Sequence, residues 1–437
     1  MIEIAKKQRR TNRSGFALSL VAVMVLILSL VGFGILRLGL ESRMMATRTT
    51  AEISARAAAD AGLTKAVFEM NKNLVDWNFN DIVSPMGTVL PSANANYTYT
   101  IEEIAKDAEY KITSIGQSGQ AAKSVSMTVV VQGAFDYALF AQGYPIPKQP
   151  KPPKQNPPAP KPLKKGGKLE IKGYNVDDSY SSDLSEAYSG TIQLRTNNTK
   201  KRSVKLRENV VVNGDVIVGP GGEPDKIIEM KDGAEITGEA YPATERQELL
   251  SVSLPQSLES GQVKDYKYKE HVPIAGKNIY SSLIIPKGKV QEVNGNCEIY
   301  VVGDVKVEDG ARLIITENAS LTLYVGGEKF EVKKKSAGII NETEDPKNLL
   351  IFGLDDCRKV KIESEEDFYG AVYAPFAKVE MKTNGDLYGA FLGWDVKLKK
   401  KKGEAQGTFY YDRSLRIGNL LATDSLATRF AVKRWQE

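Results

Sequence analysis

Histidine occurs once in the 437 residues, as His271, which leaves no partner for a histidine-based triad or a multi-histidine metal site. No G-x-x-x-x-G-K-[ST] phosphate loop is present, and Gly219-Pro220-Gly221-Gly222 reads as a turn with no helix after it to receive an anion. Asp304 and Asp309 flank a strand too loosely for a calcium loop. The adjacent acids Asp355-Asp356 and Glu365-Glu366-Asp367 alternate between opposite faces of a strand, so neither run is a convergent acid pair, and both read as solvated turns. These absences speak against an enzyme and against a cofactor. Cysteine is scarce as well. Cys297 and Cys357 are an even pair, for which a disulfide and two separate buried thiols both fit.

The long apolar run is what the chain does have. Residues 16–36, FALSLVAVMVLILSLVGFGIL, carry no charge over 21 residues and as a helix reach about 32 Å, enough to cross a hydrocarbon core. The leader before it holds Lys6, Lys7, Arg9, Arg10 and Arg13, so the positive-inside bias places the N-terminus in the cytoplasm and the bulk of the chain outside the membrane. A secretory signal has a shorter apolar core and a small-x-small cleavage site, and no such site follows. At the junction stands Gly15-Phe16, which suits either a cytoplasmic-face cut that spares the helix or a helix-breaking spacer.

From Leu38 to Leu74 the chain lacks Pro and is rich in Ala, which favours continued helix. Ile53, Ala57, Ala61 and Phe68 form one candidate stripe, and Leu63, Val67, Met70 and Leu74 another. Residues 96–143 alternate as strands, as in Tyr97 to Ile101 and Val125 to Val129, and are expected to pack on the helix as a small α+β head.

The leader ending Arg13-Ser14-Gly15, the start Phe16-Ala17-Leu18, the glycines Gly32 and Gly34 and the box Ala57-Ala58-Ala59-Asp60-Ala61-Gly62-Leu63 together resemble the N-terminal module of PilX-type minor pilins, in the type IV pilin and pseudopilin class. That resemblance, over roughly residues 8–140, implies cleavage by a prepilin peptidase after Gly15, Phe16 as the mature first residue, and other pilin subunits as partners of the helix. Leu20 stands where major pilins carry a Glu at the fifth mature position, a departure that argues against a bulk filament subunit.

Residues 145–168 change composition abruptly, with nine Pro and seven Lys, and read as an extended polyproline tether between two domains that a protease would cut to release two folded pieces. Much of the net charge of +5 sits here and in the Lys run at 397–402, so the total is no sign of nucleic-acid binding. Beyond it, short β-branched runs such as Val210-Val211-Val212, Leu349-Leu350-Ile351-Phe352 and Gly370-Ala371-Val372-Tyr373 are broken by Gly, Asn and Asp with no strict period. Strands stacked in coils fit them better than a sandwich.

The stretch from Phe368 to Leu415 looks like the C-terminal β-solenoid often joined to PilX-type N-termini: Gly370 to Pro375 matches its Gly-x-x-Tyr-Ala-Pro turn, Tyr388-Gly389-Ala390 a later strand, and Tyr411 to Leu415 its closing Tyr-Asp-x-x-Leu. The expected organisation is therefore a leader (1–15), a transmembrane and exposed helix (16–74), a β-rich head (75–144), a linker (145–168) and a mainly-β single-stranded β-helix or solenoid (169–437). Two functions follow: a non-catalytic minor pilin or pseudopilin-like subunit in the cell membrane displaying the solenoid for assembly, capping or adhesion, or a membrane-anchored solenoid that binds or cleaves a surface polysaccharide without entering a filament.

Overall fold

The computed structural model describes residues 14–72, 88–90, 93–105, 109–143, 166–177, 192–333, 338–400, 405–412, 414–417 and 429–436. A long N-terminal helix is followed by a small antiparallel sheet and a large, mostly-β domain built on a parallel sheet. The helix runs Ser14–Lys72 without a break, as expected for a segment with no Pro and abundant Ala, Leu and Met. From Leu18 on, its first half buries no described side chain: Leu18, Phe33, Leu36 and Leu38 are all exposed.

The second half packs on the head sheet. There Ala58, Ala59, Leu63, Ala66 and Met70 meet Tyr97, Tyr99, Tyr110, Ile112, Val125, Met127 and Val129. Of the two expected stripes, the one through Leu63, Val67 and Met70 is the packed one. Ile53 and Phe68 belong to the other and stay 65% and 59% exposed, because the sheet meets the helix along its smallest residues. Close approach requires this: a Cβ on Gly116 would lie 2.0 Å from the Ala55 carbonyl oxygen, and one on Gly62 would strike the Ser114 hydroxyl. Leu74 lies outside the described residues.

The head sheet has the order Thr88–Leu90, Ala95–Ala105, Glu109–Ser118, Ala121–Gln132, Arg429–Gln436, antiparallel throughout. The last strand corrects the expected boundary at residue 169, since the C-terminus returns to complete the head, with Phe430 opposite Val131 and Trp435 opposite Met127. A second correction lies at the other edge. Strand Leu139–Ala141, expected in the head, is buried in the large domain between Leu387–Lys400 and Ile192–Thr196.

That domain is a stack of parallel ladders, and its spatial order differs from its sequence order. One ladder runs Ile274–Tyr280, Val290–Val301, Ser320–Val325, Leu349–Gly353, Phe368–Thr383, Leu387–Lys400, Leu139–Ala141, Ile192–Thr196, Gly214–Val218, Ala240–Pro242. The chain thus enters in the middle, builds to one end by Pro242, crosses back along the stack through residues 243–273, starts again at the far end and descends until Leu387–Lys400 pairs with its first strand, Leu139–Ala141. The nine pairings at about 4.8 Å each span about 43 Å, which a 31-residue crossing segment covers easily.

Gly370 to Pro375 is not a turn, as the resemblance implied, but lies inside strand Phe368–Thr383, whose register shifts between Ala374 and Lys378. The expected linker also changes character. Gly143 and Gly167 both donate their N–H to the Trp394 carbonyl, at 3.1 and 3.0 Å, and Lys168 N donates to Asp395. Residues 144–165 of the Pro/Lys segment lie outside the described set, and described residues on either side of them, Gly143 and Gly167, sit side by side against the same strand. Both ends of the segment therefore lie on one domain, where the sequence reading expected it to join two.

Candidate functional site

Three outer faces of the stack present different chemistry, each set by which residue follows each inward-pointing one. The first is apolar on both sides. Its outward row Tyr324, Phe352, Tyr373, Leu392, Phe140 is buried because residues 133–138 and the crossing segment lie over it. Phe135 packs 6.0 Å from the Tyr373 ring and 6.4 Å from that of Phe352. The crossing segment is held by side chains from successive coils: Arg195 donates to the Glu245 carbonyl, Asn197 exchanges two hydrogen bonds with Gln247, Gln142 accepts from Leu249 N, and Tyr373 donates to the Leu250 carbonyl. Burial pushes the Tyr373 hydroxyl up, so it stays a donor.

The second face is charged. Along it the central residues align as Lys306, Glu331, Lys361, Glu380, Lys397, Glu170, Lys205, Glu229, one per strand, with the sign alternating at every step. Opposite charges directly beside one another stabilise a ladder and like charges destabilise it, so this row favours one register. It continues unbroken across the junction between the two halves of the domain, where Glu170 accepts from Arg207 at 2.8 Å and pairs with Lys397 at 3.1 Å. Burial alone would raise the Glu170 carboxyl, but the hydrogen bonds and charges of Arg207 and Lys397 outweigh it and bring it down to about 2. Below the junction, Tyr174 donates into a buried corner made by Thr383 and the Gly385 carbonyl.

The third face carries a tyrosine ladder. Tyr369, Tyr388 and Tyr410 stack ring on ring, with centroids 4.3 and 4.9 Å apart and planes within 15°. Tyr388, in the middle, has a ring stacked on each of its faces.

The acids and the histidine weighed from sequence are dispersed. His271 sits in a turn with φ of 60° beside a shallow cavity of about 330 Å³ lined by Tyr268, Glu270, Lys289 and Glu292, among others, and Lys289 pairs with Glu270 at 3.3 Å. Asp355 and Asp356 occupy a turn; burial, then the charge of Asp356, raises the Asp355 carboxyl. Glu365, Glu366 and Asp367 are exposed, and Asp367 accepts the Asp386 N–H. Asp304 accepts the Lys329 N–H at 3.0 Å. Contrary to the sequence reading, a helix does follow the Gly219 to Gly222 turn, but it is the single turn Pro224–Ile227. Among the described residues no cluster of His, Cys, Asp or Glu could hold a metal ion.

Cys297, in strand Val290–Val301, and Cys357, after strand Leu349–Gly353, are free and buried. Burial pushes both up to about 12, leaving them protonated and unreactive. Gly15 and Phe16 fall within the first turn of the long helix. From Leu18 on, this helix is long and apolar enough to cross a membrane.

A membrane-length helix carrying a small antiparallel head and a large parallel β domain is thus the class of molecule at hand. Residues 275–417, the half of the β domain that follows the crossing segment, match a family described as a domain of unknown function, DUF7305. No curated protein matches the sequence. Among solved structures the chain is similar to the competence-associated pilin ComZ from Thermus thermophilus, with 14% identity over 88% of this chain and 97% of that chain, at a TM-score of 0.32. A likeness of that size carries no argument by itself.

Proposed function

We propose that this protein is a non-catalytic minor pilin or pseudopilin-like subunit of a type IV pilus or related secretion filament. In this reading the helix anchors it in the cell membrane, with its N-terminus in the cytoplasm, and the β domain is a single-stranded β-solenoid displayed outside for assembly, capping or adhesion. The observation that supports it most is the division of labour along one uninterrupted helix: the stretch from Leu18 to Leu40 leaves its apolar side chains uncovered, whereas Ala55 to Met70 is sealed against the head sheet. Such a helix needs lipid or neighbouring helices around its first half. Continuous parallel ladders around an apolar interior support the solenoid.

Co-expression with a prepilin peptidase tests the filament role. Cleavage should remove 15 residues and expose Phe16, and Gly15→Val should block it. If mass spectrometry finds Met1 retained while a control pilin is processed, the anchored solenoid that binds or cleaves a polysaccharide outside any filament takes its place.

A further inference from the structure

Beside the alternating row on the charged face runs a second outward row, one residue past the next buried position. In its upper part it also balances: Glu308 pairs with Lys333, and Glu363 lies beside Lys382. Then the alternation stops. Lys382, Lys399 and Lys172 stand in direct register on three neighbouring strands, and Arg207 and Lys231, each the first residue past the end of its strand, continue the line over about 19 Å at about 4.8 Å per step.

Five like charges in line cost stability, and the neighbouring row demonstrates that this fold can alternate them. The acids within reach do not cancel the row. Lys399 lies 3.6 Å from Glu380, Arg207 2.8 Å from Glu170 and Lys231 3.9 Å from Glu229, yet Glu170 and Glu229 also serve Lys397 and Lys205. Lys382 and Lys172 make no ion pair with any described residue, and Lys172 and Lys231 are exposed. The row is also composite: Lys382 and Lys399 come from the second half of the domain, the other three from the first. It exists only when the two halves have paired.

The geometry points to a binding track for an acidic polysaccharide that carries a carboxylate on every sugar. A pyranose in an extended chain advances by about one strand spacing, so a chain laid along the row carries about as many carboxylates as the row has cations over the same length. Duplex DNA places its charge on two curved strands at about one per 1.7 Å of axis and calls for a broad basic surface, whereas here the next row is neutral. The inference concerns the displayed domain and stands whether or not the helix enters a filament.

The test uses the full chain in detergent micelles and a decamer of α-1,4-linked galacturonate. Binding should weaken as salt rises. The triple variant Lys172→Gln, Lys382→Gln, Lys399→Gln should bind about tenfold more weakly, as expected for three surface charge contacts. The corresponding Lys→Arg triple should bind like wild type, as should Lys267→Gln, Lys269→Gln, Lys287→Gln at the far end of the stack. The methyl-esterified decamer should bind about tenfold more weakly to wild type. Equal binding of the esterified and free decamers, or wild-type affinity in the Gln triple, overturns the proposal. So does duplex DNA of matched charge binding as tightly and losing affinity in the same triple, which would make the row a general polyanion site. Because the ester comparison needs no variant and no processing, its failure is separate from any failure of cleavage at Gly15.

Discussion

Replacing Glu170 by Gln should loosen the junction between the two halves of the β domain, and the size of the effect can be worked out from the carboxylate's surroundings. Glu170 is 15% exposed, its Oε1 accepts from Arg207 Nε at 3.1 Å and Nη2 at 2.8 Å, and its Oε2 lies 3.1 Å from Lys397 Nζ. A fall from 4.5 to about 2 corresponds to about 3 kcal/mol of preference for the charged form, and discounting for the partly exposed partners leaves about 2 kcal/mol. The sign follows from linkage. A carboxyl depressed by folding contributes fully above its unfolded value near 4.5 and loses that contribution as pH falls towards 2. Thermal unfolding of wild type and variant at pH 7, 4 and 2 should therefore show a gap of about 2 kcal/mol at pH 7 that closes by pH 2. A gap under about 0.5 kcal/mol at pH 7, the scatter of ordinary surface substitutions, would mean that the alternating row does not hold the junction. A gap that persists unchanged at pH 2 would mean that its effect is not electrostatic.

A protease recognition sequence inserted after Gln155 and then cut should give two fragments that elute together and separate only on denaturation, because strands Leu139–Ala141 and Arg429–Gln436 each cross the division; free elution of the pieces would restore the tethered two-domain picture. Gly116→Val should push the long helix off its sheet, since the new side chain meets the Ala55 carbonyl and the Ala59 N–H, at a cost of about 3 kcal/mol read as a lower unfolding midpoint; an unchanged midpoint would contradict the close helix-to-sheet contact. Cys297 and Cys357 should resist iodoacetamide at pH 8 in the folded protein and both react in urea, whereas alkylation of the native chain would show that their coils open readily.

The long helix was readable because its evidence is local: an uncharged apolar run, then an Ala-rich stretch without Pro. Which side of the second half is buried was less so. Ile53 and Phe68 outweigh Ala55, Ala58 and Ala59 on any hydrophobic scale, yet the sheet seats on the alanines because small residues and the glycines at 62 and 116 allow backbone contact. The Cys pair was undecidable from spacing, since a disulfide depends on a Cα separation that sixty intervening residues do not set.

The charged face was written in the sequence in a form that a search for fixed periods passes over. An apolar, charged, apolar triplet recurs as Val305-Lys306-Val307, Phe330-Glu331-Val332, Val360-Lys361-Ile362, Val379-Glu380-Met381, Val396-Lys397-Leu398, Leu169-Glu170-Ile171, Val204-Lys205-Leu206 and Ile228-Glu229-Met230. In chain order the spacing is irregular, because turns of different length separate the coils, and the signs begin with Glu170, Lys205, Glu229 before Lys306. The signs alternate in chain order as well, so they do not by themselves reveal that the segment ending at Leu398 stacks ahead of the one starting at Leu169. That ordering is a long-range fact about closure, and no local propensity encodes it. What the charges do favour is the register at the closure: sliding one half against the other by a single strand would set Lys397 beside Lys205, whereas the observed register sets it beside Glu170.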